Sequence, residues 1–213
     1  MLIDVFLPAF ATLFVAVDPV GLIPLFISLT VGQDPAARRL TALRASGIAL
    51  VVLLAFALFG EKLLGAIGIT LPAFRVAGGV LLFVIAFEML FERRKERRER
   101  TAAAYQDSQD DVSVFPLAIP LICGPGAIAS TLLLMAEGRD DLGRQVAVLG
   151  AVVASVVLAL LAFLAASWIA RHVSPTLNTI VTRLLGMLLA ALATQFIFDG
   201  LKAGLLAPAV AGG

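Results

Sequence analysis

Two long apolar stretches of this chain are interrupted near their middles by proline and glycine, and nothing else in the sequence restricts the fold as much. The first interruption reads Val17-Asp18-Pro19-Val20-Gly21-Leu22-Ile23-Pro24. The second reads Pro116-Leu117-Ala118-Ile119-Pro120-Leu121-Ile122-Cys123-Gly124-Pro125-Gly126. Proline removes a backbone N–H and clashes with the carbonyl four residues back. The residue before it avoids the α region, and glycine in a helix carries a high entropic cost. Each stretch is therefore expected to unwind locally. In hydrocarbon an unpaired backbone group costs several kcal/mol, so irregular backbone survives only where protein or a water-filled cavity satisfies it. Both breaks are expected to face the protein interior.

That these stretches lie in a membrane follows from their company. Of 213 residues, 61% are hydrophobic and 15% charged, against about 45–50% and about 25% in soluble domains. A spanning helix needs about 20 apolar residues. Six such segments are legible, at about 3–30, 44–65, 72–91, 112–136, 145–170 and 181–204. They leave no room for a soluble domain. The first has no basic stretch before it and no small-residue cleavage site after it, so it is read as a retained span. The net charge of +1 gives no reason to expect a nucleic-acid partner, and a single cysteine, Cys123, excludes an internal disulfide.

Between the third and fourth spans runs a charged stretch, 92–111, with Arg93, Arg94, Lys95, Arg97, Arg98 and Arg100. It reads as a solvated helical extension followed by a linker, compatible with attraction to lipid headgroups. Eleven basic residues, Arg38, Arg39, Arg44, these six, Arg171 and Arg183, fall in one set of loops. Five, Lys62, Arg75, Arg139, Arg144 and Lys202, fall in the other. The excess places the first set in the cytoplasm and both termini outside.

The two breaks are related by an internal repeat. A shift of 106 residues lays Asp18-Pro19 on Gly124-Pro125, and a shift of 108 lays Arg75-x-x-Gly78-x-x-Leu81 on Arg183-x-x-Gly186-x-x-Leu189. The halves are 1–91 and 112–213, with 92–111 as the charged cytoplasmic linker. Three spans per half force the second half to run upside down relative to the first, the plan of many secondary transporters. The expected fold is therefore an all-α integral membrane protein with six transmembrane helices, arranged as two inverted three-helix repeats with broken first and fourth helices.

The breaks differ in chemistry. Asp18 caps a half-helix that starts at Pro19, where the missing N–H does no harm. Gly124-Pro125 starts a half-helix in the same way but without a capping side chain, so the amides of Gly126, Ala127 and Ile128 offer an anion site. A carboxylate at one break and bare amides at the other suit a zwitterion. An ionisable residue within a span is costly and usually faces a cavity or partner. Asp18 has three roles open to it: capping, binding a substrate amine, or carrying a coupling proton or cation. The expected substrate-binding set is Asp18, Pro19, Val20, Gly21, Gly124, Pro125, Gly126, Ala127 and Ile128, with Ser130, Thr131, Thr194 and Gln195 as further cavity-lining polar residues. For Ser130 and Thr131, bonding back to the preceding turn is an equal alternative. Gly78, Gly79 and Gly186 read as close-packing positions. Exposed small-residue faces would also allow a homo-oligomer.

Other chemistries lack their residues. One histidine, His172, and one cysteine leave no soft-metal site. No nucleophile and base pair within the spans, and no Gly-x-x-x-x-Gly-Lys loop is present. Neither an enzyme nor a cofactor is expected.

The motifs Asp18-Pro19-Val20-Gly21-Leu22-Ile23-Pro24-Leu25-Phe26, Phe74-Arg75-Val76-Ala77-Gly78-Gly79, Pro116-Leu117-Ala118-Ile119-Pro120 and Gly124-Pro125-Gly126-Ala127-Ile128 together resemble the MarC family, in the same order and over essentially the whole chain. The resemblance implies a six-span prokaryotic inner-membrane protein. It also implies kinship with a transporter of small neutral amino acids such as glycine and alanine. The reading is then a secondary transporter of such zwitterions working by alternating access, with proton coupling resting on Asp18. The alternatives are export of another small metabolite, and a non-transporting membrane scaffold or regulatory protein that would bind a partner through 92–111.

Overall fold

The computed structural model describes residues 2–106, 111–138, 141–172 and 174–206, and every regular element among them is a helix. In chain order these are α1 (Leu2–Val17), α2 (Pro19–Leu29), α3 (Pro35–Ile67), α4 (Leu71–Leu90), α5 (Arg93–Gln106), an irregular coiled segment (Ser113–Ile122), α6 (Pro125–Glu137), α7 (Leu142–Leu164), α8 (Ala166–His172) and α9 (Pro175–Leu206). Five helical stretches are long and apolar enough to cross a bilayer. A sixth crossing forms if Ser113–Ile122 and Pro125–Glu137, bent by 55°, count as one broken span. The span boundaries expected from hydropathy agree with these helices to within a turn or so, except that α7 ends at Leu164 rather than 170, α9 starts at Pro175 rather than 181, and α3 starts well before 44. Helix α3 starts at Pro35, capped by Asp34, and its 33 residues rise about 50 Å at 1.5 Å each, well beyond the hydrocarbon core.

Two clusters of apolar side chains hold the bundle. One joins α1, α2, α3, the coiled segment and α7 around Leu13, Leu22, Phe26, Leu53, Leu117, Ile122 and Phe163, with the Phe26 and Phe163 rings stacked at 4.6 Å. The other joins α4, α6 and α9 around Leu82, Met89, Leu133, Leu189 and Phe196. The packing of α4 on α9 is the most extensive helix pair. Glycine makes it possible: a Cβ at Gly79 would stand 2.8 Å from the Ala193 carbonyl oxygen, and one at Gly186 3.1 Å from the Met89 Cβ. Large apolar residues such as Phe59, Phe83, Leu188 and Phe198 are exposed on the outside, where a membrane protein meets lipid rather than water.

The loops that carry most of the basic residues meet one another. Arg38 donates to the Ser167 Oγ at 3.0 Å, Arg44 pairs with Asp111 at 3.5 Å, and Arg183 pairs with Glu92 at 2.6 Å. One face of the bundle therefore gathers the start of α3, both ends of the 92–111 stretch and the α8–α9 region.

Candidate functional site

At the first break helical bonding persists on both sides of Asp18: its N–H donates to the Phe14 carbonyl at 2.8 Å, and its carbonyl accepts from Leu22 at 3.2 Å. Asp18 itself is left-handed, φ 56° and ψ 65°, a conformation in which Asp is among the few tolerated residues other than glycine. Its Oδ1 accepts from the Gly21 N–H at 3.1 Å, the capping bond expected from Asp-Pro. Gly21 is required here, because a Cβ at that position would overlap the Asp18 carboxylate.

This arrangement orphans carbonyls at the end of α1. In an unbroken helix the Val15, Ala16 and Val17 carbonyls would bond to the amides of residues 19, 20 and 21. Pro19 has none, and the Gly21 amide is used by Asp18. Two guanidinium groups of α5 supply donors. Arg94 donates to the Val15 carbonyl through Nη1 at 3.3 Å and to the Ala16 carbonyl through Nη2 at 2.5 Å. Arg98 donates to the Val17 carbonyl through Nη2 at 3.0 Å, and its Nη1 forms an ion pair with Asp18 Oδ2 at 2.9 Å. All three side chains are buried, with residue exposures of 5% for Asp18 and Arg94 and 6% for Arg98. Arg94, Arg98 and buried Ala102 repeat every four residues and form the inner face of α5. The expected solvated helix thus accounts for only one side of this element. Burial lowers the pKa of both arginines. The Asp18 carboxylate opposes that fall, while each feels a like charge from a neighbouring arginine.

At the second break, Phe115 and Ile119 are extended and precede cis prolines. The chain then turns at Cys123 and Gly124 into α6. Cys123 is buried and its thiol lies 3.2 Å from the Ala49 carbonyl. Gly124 caps α6 with no side-chain bond. The Ile128 N–H is returned to the Gly124 carbonyl at 3.1 Å. That narrows the expected trio of available amides to Gly126 and Ala127.

The end of α1, just before the first break, meets the second break across one cavity. Its volume is about 90 Å³, and its walls include Ala16 from α1, Pro120, Leu121, Gly124, Pro125 and Gly126 from the second break, and Arg94, Arg97, Arg98 and Thr101 from α5. That volume holds several waters or one small solute. Arg94 and Arg98 also border a larger cavity of about 430 Å³, to which Asp18, Val20, Gly21, Glu92, Glu99, Ser174, Thr179 and Thr182 contribute; Asp18 does not line the smaller one. Pro19 is buried behind the break. Ala127 is buried, and Ile128 packs against the larger apolar cluster.

The more distant polar residues do not line either cavity. Thr131 donates back to the Ala127 carbonyl at 2.8 Å, and Thr194 to the Ala190 carbonyl at 2.8 Å. Ser130 is fully buried, with its hydroxyl unpartnered among the described residues. Gln195 is exposed and donates to Asp199 at 2.9 Å. Glu88 pairs with Arg97 at 3.0 Å. Among the described residues no group of three or more His, Cys, Asp and Glu could hold a metal ion.

The family model for MarC family integral membrane proteins matches residues 3–205. The chain belongs to the MarC family. Among its relatives, the membrane protein MJ1677 of Methanocaldococcus jannaschii is 37% identical over 94% of this chain and 98% of its own length. The membrane protein YhcE of Escherichia coli is 37% identical over 93% and 92%, and YvbG of Bacillus subtilis 33% identical over 95% and 96%. No solved structure matches the chain. As a MarC protein it is a multi-pass membrane protein.

Proposed function

We propose that this MarC protein is a secondary transporter of small zwitterionic solutes, of the glycine and alanine class, with its site in the cavity between the two interrupted spans. The observation that carries this reading is that both interrupted spans contribute walls to one small, charged cavity. Irregular backbone at membrane depth is tolerated where it lines such a space, and transporters place their sites at breaks of this kind.

The helix packing supports two inverted repeats of three spans. α1 and α2 pack on α7 as the coiled segment and α6 pack on α3, and α4 packs on α9. These contacts are the ones a two-fold relation between the halves requires, since it exchanges spans one and four, two and five, and three and six. Rocking of one half against the other would open the cavity to either side. In the inner membrane of a prokaryote, the positive-inside bias favours a cytoplasmic side for the face bearing the 92–111 stretch, with both termini outside. Asp18 is the candidate for proton coupling, because its protonation would dissolve the ion pair with Arg98. The burial of Arg94, Arg98 and Ala102 within the bundle weighs against a scaffold that uses α5 as its docking element.

The test is flux of labelled glycine and alanine into proteoliposomes, with and without a pH gradient. Saturable uptake that Asp18→Asn alters in its pH dependence supports the proposal. Absence of flux for both solutes in either gradient direction refutes it.

A further inference from the structure

Of the three arginines that line the smaller cavity, Arg94 is the one without a carboxylate in direct contact among the described residues. Asp18 neutralises Arg98 at 2.9 Å, and Glu88 pairs with Arg97 at 3.0 Å. Among the described residues, Arg94 bonds only to the Val15 and Ala16 carbonyls and to the Met89 sulfur. These are neutral acceptors, and the carboxylates that act on it, Asp18 and Glu88, are each in direct contact with another arginine. Its Nε–H is buried with no hydrogen-bond partner. A buried guanidinium with no carboxylate in contact is expensive, and an unsatisfied buried donor adds to that cost. The same cavity is bordered by Gly126, in the uncapped first turn of α6, where the helix dipole favours negative charge. Guanidinium and helix start both call for an anion, and the small volume limits its size.

From these groups we infer that Arg94 is the anchor for the carboxylate of the solute, with the first turn of α6 as its second support. This rests on the proposed transport site but alters its polarity. The Asp18 carboxylate, a candidate for the solute's ammonium, is already committed to Arg98 and Gly21. Recognition of the solute therefore begins at its acid end. A carboxylate on Arg94 would give both arginines of the cluster an anionic partner in direct contact.

The test is binding to the purified full-length protein in detergent by titration calorimetry, with glycine, acetate, glycinamide and methylamine as probes. Glycine and acetate are expected to bind and to compete, whereas the two probes without a carboxylate do not. Arg94→Gln is expected to weaken glycine and acetate about ten- to a hundredfold, the loss of one charge-assisted contact. Arg94→Lys keeps the charge and is expected to retain part of the affinity. The comparison of probes on the unaltered protein stands even if the variants fold poorly. Glycinamide binding as tightly as glycine, no binding by glycine and acetate, or unchanged affinity in a well-folded Arg94→Gln would each overturn the assignment. Acetate binding that depends on Arg94, without glycine or alanine flux, would uphold the anchor while refuting the transport proposal. Flux whose KM ignores Arg94 would do the reverse.

Discussion

Breaking the Asp18–Arg98 pair tests the first break's electrostatics. The pair is 2.9 Å long and its side chains are 6% and 7% exposed. At an effective dielectric constant of about 20, charges about 4 Å apart attract by about 4 kcal/mol. Removing one partner of a buried pair costs about 3–5 kcal/mol, because the other charge is stranded. Asp18→Asn and Arg98→Met are each expected to destabilise by about that much. The double variant is expected to fall short of the sum by about 2–4 kcal/mol, since neither charge is then stranded. Reversible unfolding in mixed detergent and SDS micelles, followed by tryptophan fluorescence from Trp168, gives the four free energies. The exposed Glu92–Arg183 pair is an internal control. It is shorter, at 2.6 Å, but half-exposed on both sides, so its coupling is expected to be below about 1 kcal/mol. A coupling at Asp18–Arg98 no larger than that of the control would refute the reasoning.

Three further outcomes follow from the geometry. Gly21→Ala places a methyl group on the Asp18 carboxylate and is expected to cost about 1–3 kcal/mol in the same titration; a neutral result would mean the carboxylate is free to move. Gly79→Val meets the Ala193 carbonyl and Ile197 N–H, both backbone, so it is expected to cost at least about 1–3 kcal/mol, whereas a stable variant would show that α4 and α9 separate easily. A cysteine added near the N-terminus of a Cys123→Ser chain is expected to react with an impermeant maleimide from outside intact cells. Protection there, with reaction only after lysis, would reverse the proposed orientation.

The helices and the breaks were legible in the sequence because both arise from local chemistry. Apolar runs of spanning length mark the helices, and Asp-Pro and Gly-Pro mark two starts inside them. What local chemistry does not reveal is how a break is satisfied by distant residues. Arg94 and Arg98 lie in the most polar stretch of the chain, so composition assigns them to solvent. The available signal was the spacing of Arg94, Arg98 and Ala102 on one helical face, together with the count of carbonyls left open by Pro19 and by the Gly21 cap. Thr194 and Gln195 mislead for the opposite reason. A polar residue within an apolar span suggests a cavity, but the Thr hydroxyl is satisfied by its own helix and Gln195 by Asp199 one turn on.

The central claim is that the cavity shared by the two interrupted spans is where the solute sits. The most direct measurement uses Thr101, which lines that cavity on α5. With Thr101→Cys in a Cys123→Ser chain, the rate of modification by a small thiol reagent is followed in proteoliposomes with and without saturating glycine. The account predicts that glycine slows the reaction and that acetate does so too. Flux of glycine through the same protein with a modification rate indifferent to both would contradict it.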